Sequence, residues 1–511
     1  MDVGSLPTRN ARHWPDRLAL VFEDRRLSWR DLNARINRAA NALRLAGVAK
    51  GDAVALLLPN TLELVELYWA LAKLGAVAVP LSPLLRGPTL ESLIRDSDAV
   101  ALVTTRELAP EVVGIRAGLS SIPEHRLYLI DGSEPGFADY HAATGAASSA
   151  EPPASGITGH DPCHIIYSSG TTGDPKGIIH THRMRAYYGI NFSRAWRMGG
   201  DAVVLQAGSL IFNGSMLMTV PWMYTGACLV VQRRFDPSDY LAAAVRERVT
   251  HGMLVPSQIV TLLAHPDIVP ALSTFETLLS VGAPLLLEHK ERLSRLKPGI
   301  CCELYGLTEG GSTTVLDRDD FLRKPGSVGV PLPLAEMKIV DDDGRELPPR
   351  AIGEICGRNA VMMPGYHKRP DLTARAVRDG WLHTGDVGYL DEEGFLYLVD
   401  RKKDMIISGG VNVYPKDIEE VVVQHPAVLE AAVFGVPDPR WGEAPHCAVI
   451  LRPGHATDGD ALKAWINGRV GAAYQRVREV SIRPAFPRNA AGKTLKRELR
   501  APYWEGRESR I

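Results

Sequence analysis

The sequence predicts an α/β protein with a large amino-terminal domain and a smaller carboxy-terminal one. Three observations support this: a length of 511 residues, short apolar runs that alternate with amphipathic helical patterns, and a change of pattern near residue 400. Single hydrophobic cores seldom grow beyond about 250–300 residues, and strands that alternate with helices are typical of parallel sheets. We therefore expect α/β subdomains with mostly parallel sheets at 1–400 and a small mobile α+β domain at 401–511.

A capped amphipathic helix stands near the start of the α/β pattern. Ser28 and Asp31 form an S-x-x-D capping pattern, in which side-chain oxygens bind free N–H groups of the first turn. Gly47 follows the last apolar position, as glycine often does where a helix ends. The next segments indicate a strand (AVALLLP), a helix from Leu62 to Leu74 and a second strand (AVAVP). This order predicts consecutive β-α-β units.

Two segments differ in composition from the rest of the chain. Residues 142–160 (AATGAASSAEPPASGITGH) are rich in Ala, Ser, Gly and Pro, which predicts a mobile surface connection. Four consecutive charged residues, 400–403, follow an apolar run, and beyond them lie helical patterns at 417–424 and 460–470 and a strand pattern at 429–436. This second change supports a separate domain with a hinge near 400–403.

Charge and cysteine content narrow the class of protein. The 58 basic and 59 acidic side chains nearly cancel, which argues against nucleic-acid binding through bulk charge. The six cysteines form no CxxC pair and no apolar leader opens the chain, so we expect a cytoplasmic protein. The stretch 209–232 is uncharged, but it contains Asn213 and a central Pro221. We expect buried core or pocket lining there and no transmembrane segment.

The segment Tyr167–Gly177 (YSSGTTGDPKG) has the composition of an anion-binding loop. Its glycines let backbone N–H groups approach an anion, and its hydroxyls and Lys176 add donors and positive charge. It is not a Walker A loop, because Lys176 lies between a proline and a glycine. PRNAAGKT, from Pro487, almost fits that pattern but has proline at the first glycine position. On composition alone, a flexible turn stays open for Tyr167–Gly177.

Four further motifs follow this loop in order: ELYGLTEGG from Glu303, HTGD from His383, DRKKDMIISGG from Asp400 and PRNAAGK from Pro487. With YSSGTTGDPKG, they resemble the motifs of the adenylate-forming superfamily, which contains acyl- and aryl-CoA synthetases, peptide-synthetase adenylation domains and firefly-type luciferases. The five matches span residues 167–493, most of the chain. The resemblance implies ATP, magnesium and CoA as cofactor and substrates.

A nucleotide site is the first consequence that the resemblance implies. Thr171, Thr172 and Lys176 would hold the β- and γ-phosphates and stabilise the leaving pyrophosphate. Tyr305 would stack on adenine, and Asp386 and Arg401 would bind the ribose. Glu309 would bind magnesium, a cation that prefers oxygen ligands. The implied ATP- and AMP-binding residues are Ser168, Ser169, Gly170, Thr171, Thr172, Lys176, Glu303, Leu304, Tyr305, Gly306, Thr308, Asp386, Arg401 and Lys493.

Lys493 is the implied catalytic residue with the largest expected effect. In the family pattern this lysine approaches the α-phosphate and the carboxylate together, and it neutralises charge as the carboxylate oxygen attacks phosphorus. Lys176, Thr308 and Glu309 complete the implied catalytic set. Lys403 falls at the hinge position, about which the carboxy-terminal domain would rotate.

The resemblance also implies a site for CoA. Small residues of the hinge motif would lie beside the pantetheine channel, where they let a narrow chain pass. Basic and aromatic residues further along suit a nucleotide that carries three phosphates. The implied CoA-binding residues are Arg234, Ser408, Gly409, Gly410, Trp441, Tyr474, Arg476 and Arg478.

The acid pocket is where this chain departs from the family pattern. Asn213 stands where many relatives have histidine, and Val281 stands where they often have glycine, so both departures concern the choice of substrate. By motif, no Lys, Arg or His faces the pocket, which favours a hydrophobic monocarboxylate over amino acids and dicarboxylates. The expected lining is Phe212, Asn213, Met216, Met218, Val255, Val281 and Gly282.

The resemblance implies an AMP-forming carboxylate:CoA ligase. The enzyme would convert a fatty, aromatic or alicyclic acid and ATP to acyl-AMP and pyrophosphate, and then transfer the acyl group to CoA. Two alternatives stay open: an acyl-adenylating enzyme that loads a carrier protein, and a non-catalytic nucleotide-binding sensor. The expected partners are small molecules and not nucleic acid, and a homodimer is compatible with the sequence.

Overall fold

The computed structural model describes residues 1–168, 176–283, 285–401, 404–408, 411–488 and 494–505, with backbone alone for 168, 400, 401 and 412. The α-helices of this described part are α1 Leu6–His13, α2 Trp29–Leu45, α3 Leu62–Leu74, α4 Gly87–Asp96, α5 Ala109–Gly114, α6 Tyr140–Ala146, α7 His182–Ala195, α8 Met216–Thr225, α9 Pro237–Arg246, α10 Pro256–Leu263, α11 Ile268–Ala271, α12 Leu287–Leu296, α13 Pro370–Ala376, α14 Pro415–Val422, α15 Gly459–Asn467 and α16 Lys496–Trp504.

The strands include both long and very short elements. They are β1 Leu18–Phe22, β2 Arg25–Ser28, β3 Ala53–Leu57, β4 Val77–Leu81, β5 Ala99–Thr104, β6 Leu127–Leu129, β7 Ala138–Asp139, β8 Pro162–Ser168, β9 Lys176–Thr181, β10 Val203–Gln206, β11 Cys228–Val231, β12 His251–Leu254, β13 Thr277–Val281, β14 Cys301–Gly306, β15 Thr313–Leu316, β16 Val330–Pro331, β17 Glu336–Val340, β18 Gly353–Arg358, β19 Val377–Arg378, β20 Trp381–Leu390, β21 Leu396–Arg401, β22 Ile406–Ser408, β23 Val411–Val413, β24 Val428–Asp438, β25 Gly442–Leu451 and β26 Glu479–Ile482.

The chain divides into two compact units. The first consists of Met1–Pro325, Pro331–Glu336 and Arg358–Leu382, and the second of Gly326–Val330, Met337–Gly357 and His383–Ile511. The second unit thus includes segments that precede residue 400. The boundary at residue 400 and the hinge at 400–403 stay predictions.

Two sheets organise the first unit. One has the strand order β7-β6-β5-β3-β4-β8-β9, and its neighbours are parallel except for the antiparallel pair β8 and β9. The other runs β15-β14-β13-β12-β10-β11-β1-β2 and is parallel from β14 to β1. The predicted α/β fold with mostly parallel sheets is confirmed.

Local sequence signals determine the early helices. Ser28 and Asp31 form the predicted capping box at the start of α2. Helix α3 has the predicted bounds, because Thr61 caps its first turn and Gly75 ends it with φ 70°, in the left-handed region that glycine adopts easily. Every residue of α3 is buried, which is why its apolar pattern covers more than one face.

The uncharged stretch 209–232 contributes to the core of the first unit. Helix α8 is buried over its first eight residues even though it contains Pro221. Trp222 on this helix stacks on Trp29 of α2, with ring centres 5.4 Å apart. Among the described residues, no helix is long and apolar enough to cross a membrane. The prediction of buried core for this stretch is confirmed.

The expectation of a mobile connection at 142–160 is wrong for part of that segment. Helix α6 occupies its beginning, and residues 148–151 then lie along α2. Asn37 donates to the carbonyl oxygen of Ser149 at 3.0 Å, and Asn41 donates to those of Ser148 and Ala150, each at 2.9 Å. Small polar residues here therefore form an ordered segment, held by side chains of a distant helix.

The second unit contains two sheets. One includes the order β17-β18-β20, with β21 paired antiparallel to β20. The other has the order β23-β22-β25-β24, with β26 parallel to β25. Helices α14 and α15 contribute Ile418 and Ile466 to a buried cluster with Val433 of β24. The two helices and β24 lie within two or three residues of the predicted positions, which supports the α+β pattern expected for this region.

Candidate active site

The phosphate-loop lysine lies at the start of a strand. Strands β8 and β9 pair antiparallel, with Ser168 opposite Lys176. The Nζ atom of Lys176 lies 5.4 Å from the centre of the Tyr366 ring, over its face. Ser169, Gly170, Thr171 and Thr172 lie outside the described residues, so their roles stay predictions.

Tyr366 links this lysine to the predicted magnesium residue. Its hydroxyl donates a hydrogen bond to Glu309 Oε1 at 2.9 Å. Burial and the adjacent Glu309 carboxylate raise the pKa of Tyr366, so the hydroxyl stays protonated and can donate. The neighbouring backbone is fixed, since Ile179 N donates to Gly365 O at 3.2 Å and His367 N donates to Gly177 O at 2.7 Å.

Tyr366 was missed by sequence reasoning. It lies outside the recognised motifs, and its partners come from two other parts of the chain. Strand pairing between Ile178 and Tyr366 brings these parts together. A cation, an aromatic hydroxyl and a carboxylate therefore form one row in the first unit, at residues predicted to bind phosphate and magnesium.

The adenine motif continues β14. Tyr305 lies opposite Thr314 of β15 and is 8% exposed, while Leu304 is buried. Glu303 is buried as well, forms an ion pair with Lys290 and accepts a hydrogen bond from Leu285 N at 3.0 Å. The Glu303 carboxylate thus anchors neighbouring protein segments, whereas its place in the nucleotide site stays a prediction.

Thr308 and Glu309 follow the end of β14, after Gly306. The backbone oxygen of Glu309 accepts a hydrogen bond from Met363 N at 2.8 Å. No cluster of three His, Cys, Asp or Glu suited to a metal occurs in the part of the chain that the structure describes. A lone carboxylate fits magnesium, which usually binds to one or two carboxylates together with substrate phosphates and waters.

The predicted ribose residues are cross-strand neighbours in the second unit. Asp386 of β20 lies opposite Arg401 of β21. The part of β20 just before Asp386 is held by Glu354, which accepts a hydrogen bond from Gly385 N at 3.1 Å and lies 3.4 Å from His383 Nδ1. Glu354 is a residue that the motifs did not indicate. The structure brings Asp386 and the Arg401 backbone together, while the Arg401 side chain lies outside the described atoms.

Three predicted CoA residues meet around Asp438, also in the second unit. Ser408 pairs with Gly442, the residue after Trp441. The Oδ1 atom of Asp438 accepts a hydrogen bond from Trp441 N at 3.0 Å, and its carboxylate forms an ion pair with Arg478. Asp438, which sequence reasoning missed, therefore positions both the aromatic and the basic candidate.

The remaining CoA and hinge candidates are scattered or undescribed. Trp441 and Tyr474 are 46% and 45% exposed, so both rings are available to a ligand. Arg476 is exposed in the second unit, and Arg234 is exposed in the first. The candidates outside the described residues are Lys403, Gly409, Gly410 and Lys493.

The acid-pocket candidates lie in the core of the first unit. Met216 and Met218 are buried, and Phe212 and Val281 are partly buried against the same core cluster. Gly282 has φ 93°, and a Cβ atom placed on it would lie 3.7 Å from Val255 Cγ1. These contacts agree with an apolar lining, but the assignment of the pocket to these residues stays a prediction.

A buried arginine lies beside this predicted pocket. Arg185 Nη1 donates to Asn213 Oδ1 at 2.9 Å, and Asn213 Nδ2 donates to the hydroxyl of Tyr188 at 3.0 Å. The expectation that no cation faces the pocket rested on motifs alone and missed Arg185. The sequence signal is an arginine on the buried face of α7, among mostly apolar residues and His182.

Comparison with known proteins places this geometry in a family. Residues 7–367 match the AMP-binding enzyme family and residues 417–493 match the AMP-binding enzyme C-terminal domain. A feruloyl-CoA synthase of an Amycolatopsis species is 37% identical over 505 residues, which are 98% of this chain and 99% of that protein. A fatty acid–[acyl-carrier-protein] ligase, ScoC of Streptomyces coeruleorubidus, is 32% identical over 97% of this chain and 95% of its own length.

Two further similarities point the same way. The long-chain-fatty-acid–CoA ligase FadD13 of Mycobacterium tuberculosis is 34% identical over 94% of both chains. The crystal structure of ATP-bound MatB from Rhodopseudomonas palustris superposes with a TM-score of 0.90 at 28% identity, over 98% of this chain and 99% of MatB. The chain therefore belongs to the AMP-binding enzyme family, in its acyl-CoA synthetase branch, and is an AMP-forming acid–thiol ligase.

Proposed function

We propose that the protein activates a hydrophobic monocarboxylic acid, fatty, aromatic or alicyclic, as its acyl-adenylate and then transfers the acyl group to CoA. The row formed by Lys176, Tyr366 and Glu309 carries the proposal, since it sets a cation and a carboxylate where phosphates and magnesium are expected. The apolar surroundings of Phe212 and Val281 support a hydrophobic acid. The feruloyl and long-chain names of two relatives support the range of acids.

Each predicted residue then has a defined task. Lys176 neutralises the departing pyrophosphate, and Lys493 neutralises charge at the α-phosphate during attack by the carboxylate. Glu309 would hold magnesium, which supplies a Lewis acid for the phosphates. Tyr366 donates to one oxygen of Glu309, which would leave the other oxygen of that carboxylate for magnesium.

In the second half-reaction, CoA would bind to the second unit. Trp441 and Tyr474 offer exposed rings to adenine, and Arg476 and Arg478 offer charge to its phosphates. Rotation about Lys403, with the domain boundary at residue 400, would exchange the adenylation and thioesterification arrangements. The six cysteines are buried and form no disulfide within the described part of the chain, which supports a reducing, cytoplasmic location. We also propose a homodimer, which a measurement of molecular mass in solution would test.

The mechanism is tested with Lys493→Ala. This variant should lose acid-dependent ATP–pyrophosphate exchange, yet it should still form thioester from a supplied acyl-adenylate. A panel of fatty, benzoic, cinnamic and alicyclic acids, assayed for AMP release with and without CoA, identifies the acid. Normal exchange by Lys493→Ala would contradict the mechanism.

A second candidate acceptor is a carrier protein, which the similarity to ScoC favours. The same panel separates the two acceptors. AMP release that requires CoA supports the CoA ligase, whereas acyl-AMP that accumulates without thioester, and is discharged by an added carrier protein, supports the carrier. If CoA is the acceptor, the substitution Trp441→Ala should raise the KM for CoA and leave the KM values for ATP and the acid unchanged.

A further inference from the structure

Arg185 is a buried cation that uses only part of its hydrogen-bonding capacity. Its side chain lies on α7, 1% of the residue is exposed, and its Nη1 donates to Asn213. Its Nε and Nη2 atoms have no hydrogen-bond partner among the described residues, and no ion pair formed by those residues includes it, although its guanidinium lies over the Tyr188 ring, 4.9 Å from the ring centre. Burial of a charge without a counter-ion is costly, even when one hydrogen bond and one aromatic ring offset part of that cost. This indicates that a group outside the protein complements Arg185 in the working enzyme.

His164 supplies a hydrogen-bond acceptor close to this cation. Cys163 Sγ lies 3.2 Å from His164 Nδ1, and its S–H donates to His180 O at 3.4 Å. Because Cys163 has one proton, the proton between sulfur and Nδ1 belongs to His164, which leaves a lone pair on His164 Nε2. That atom is buried and has no partner among the described residues. Burial, and after it the charge of Arg185, lowers the pKa of His164 far below its usual value, so the ring is neutral.

A cavity of about 20 Å³ brings the two groups together. Arg185 and His164 both line it, together with apolar and aromatic side chains that include Met216 and Trp222. Its volume is enough for about one water molecule. Met216 belongs to the predicted acid pocket and Arg185 binds Asn213, so two predicted pocket residues adjoin the cavity or its arginine. A methionine side chain is flexible enough to move aside for a substituent of the acid.

We propose that the acid carries a hydroxyl group remote from its carboxylate, and that this hydroxyl accepts a hydrogen bond from Arg185 and donates one to His164 Nε2. The inference rests on the proposed function and specifies its substrate as a hydroxylated hydrophobic monocarboxylic acid. A hydroxyl group can accept a hydrogen bond from Arg185 and donate one to His164 Nε2 at the same time. An ether or a second carboxylate would leave Nε2 unpaired, and a methyl group would leave both unpaired.

The expected selectivity follows from these unpaired groups. A site that hydrogen-bonds a substrate hydroxyl rejects analogues that lack it far more strongly than an apolar pocket rejects an extra methylene. We expect kcat/KM for the hydroxylated acid to exceed that for the methyl isostere by at least about 10-fold. The methoxy and carboxy analogues should fall below the hydroxylated acid as well.

The test uses the best acid scaffold from the panel above, substituted at its remote end with hydroxyl, methyl, methoxy or carboxyl. AMP release gives kcat/KM, and calorimetric titration of the same acids gives the dissociation constants without turnover. A panel with no turnover at all would contradict the proposed function, whereas binding without preference for the hydroxyl would overturn only this inference. Preference for the carboxy analogue would also overturn it, since it would mark an anion site.

Arg185→Met is the decisive variant, and Arg183→Met, an exposed arginine on the same helix, is its matched control. Arg185→Met should bring the ratio of kcat/KM for the hydroxyl acid to that for the methyl acid close to one, while Arg183→Met leaves this ratio unchanged. A preference that survives in Arg185→Met would show that Arg185 binds only water. If this variant fails to fold, the preference of the wild type for the hydroxyl still decides the question.

Discussion

Two buried cations of the first unit differ in how many protein groups accept hydrogen bonds from them. The Lys73 side chain is 3% exposed, and its Nζ binds Thr8, Asn33, Asn37 and Glu151 at 2.6–2.8 Å. Arg185 is as deeply buried, but among the described residues only Asn213 accepts a hydrogen bond from it. Both positions cost desolvation, which four polar groups offset for Lys73, whereas Arg185 has one hydrogen bond and the face of the Tyr188 ring.

The difference separates a structural charge from one that we infer to be functional. Complete pairing fixes Lys73 and, through Glu151, the ordered segment that follows α6. Incomplete pairing leaves Arg185 with donors for a ligand, at the expense of folding stability. The pairing of a buried charge is therefore a better indication of its role than burial alone, and the following changes test that statement.

Lys73→Met should produce the largest loss of stability. It leaves the oxygens of Asn33, Asn37 and Glu151 without their shared donor, at a cost of about 2–4 kcal/mol in the free energy of unfolding. Lys368→Met is the control, because Lys368 is 42% exposed in its pair with Asp98 and should cost less than about 1 kcal/mol. Urea unfolding of both variants measures this, and equal losses would contradict the comparison.

Glu151→Gln should give a smaller loss that depends on pH. Burial alone would raise the pKa of Glu151, but hydrogen bonds from Lys73, Asn33 and Asn37 outweigh it and lower the pKa from 4.5 to about 2. Because the folded pKa is the lower one, the stabilisation is present above pH 4.5 and is lost as the pH falls towards 2. The carboxylate is half exposed, so we expect about 1–2 kcal/mol at pH 7.

The ion pair between Lys73 and Glu151 also affects the lysine. Burial lowers the pKa of Lys73, although Glu151 opposes this shift. Unfolding of wild type and Glu151→Gln between pH 7 and pH 2 should therefore show a difference in stability that stays constant down to about pH 4.5 and shrinks below it. A difference independent of pH would assign the effect to packing.

Asn213→Asp would turn Arg185 into a paired cation like Lys73. The new carboxylate keeps the shape of the amide and accepts from Arg185, while the Tyr188 hydroxyl turns to donate. We expect a gain of about 1 kcal/mol in stability from the charge-assisted hydrogen bond. The preference for hydroxylated acids should fall, since Arg185 is then neutralised. A lower melting temperature would show that Arg185 already has a counter-ion.

Tyr366→Phe removes a neutral hydrogen-bond donor and not a charge. It should therefore have the smallest effect of these substitutions. Loss of the hydroxyl frees Glu309 Oε1 and should cost about 1 kcal/mol, roughly fivefold in activity. A positioning role predicts a higher magnesium requirement, with kcat largely restored at high magnesium. Tyr187→Phe, a partly buried tyrosine of α7, is the control. A fall in kcat that magnesium does not restore would point to a structural role for Tyr366.

Local signals explain what could be predicted from the sequence. Helix α3 was predicted with its observed bounds from its helical pattern, and the residues that end it, Thr61 and Gly75, directly flank that pattern in the sequence. The motifs likewise assigned Asp386 and Arg401 to the same ribose, and the structure shows them opposite each other on neighbouring strands. Tyr366, Asp438 and Arg185 were missed because each acts through a partner far along the chain or on another element. Composition also misjudged residues 148–151, since it cannot register acceptors that Asn37 and Asn41 satisfy from α2.

The asparagines of α2 limit which sequence changes this enzyme can accept during evolution. Asn33, Asn37 and Asn41 recur at every fourth position, and Asn37 and Asn41 hold the segment by its main-chain oxygens. Because every residue carries such an oxygen, substitutions at 148–150 leave the attachment intact. A one-residue insertion would shift all the bonds at once. Evolution is therefore constrained in the number of residues in this segment and not in which residues they are. Deletions will be tolerated there less well than point mutations.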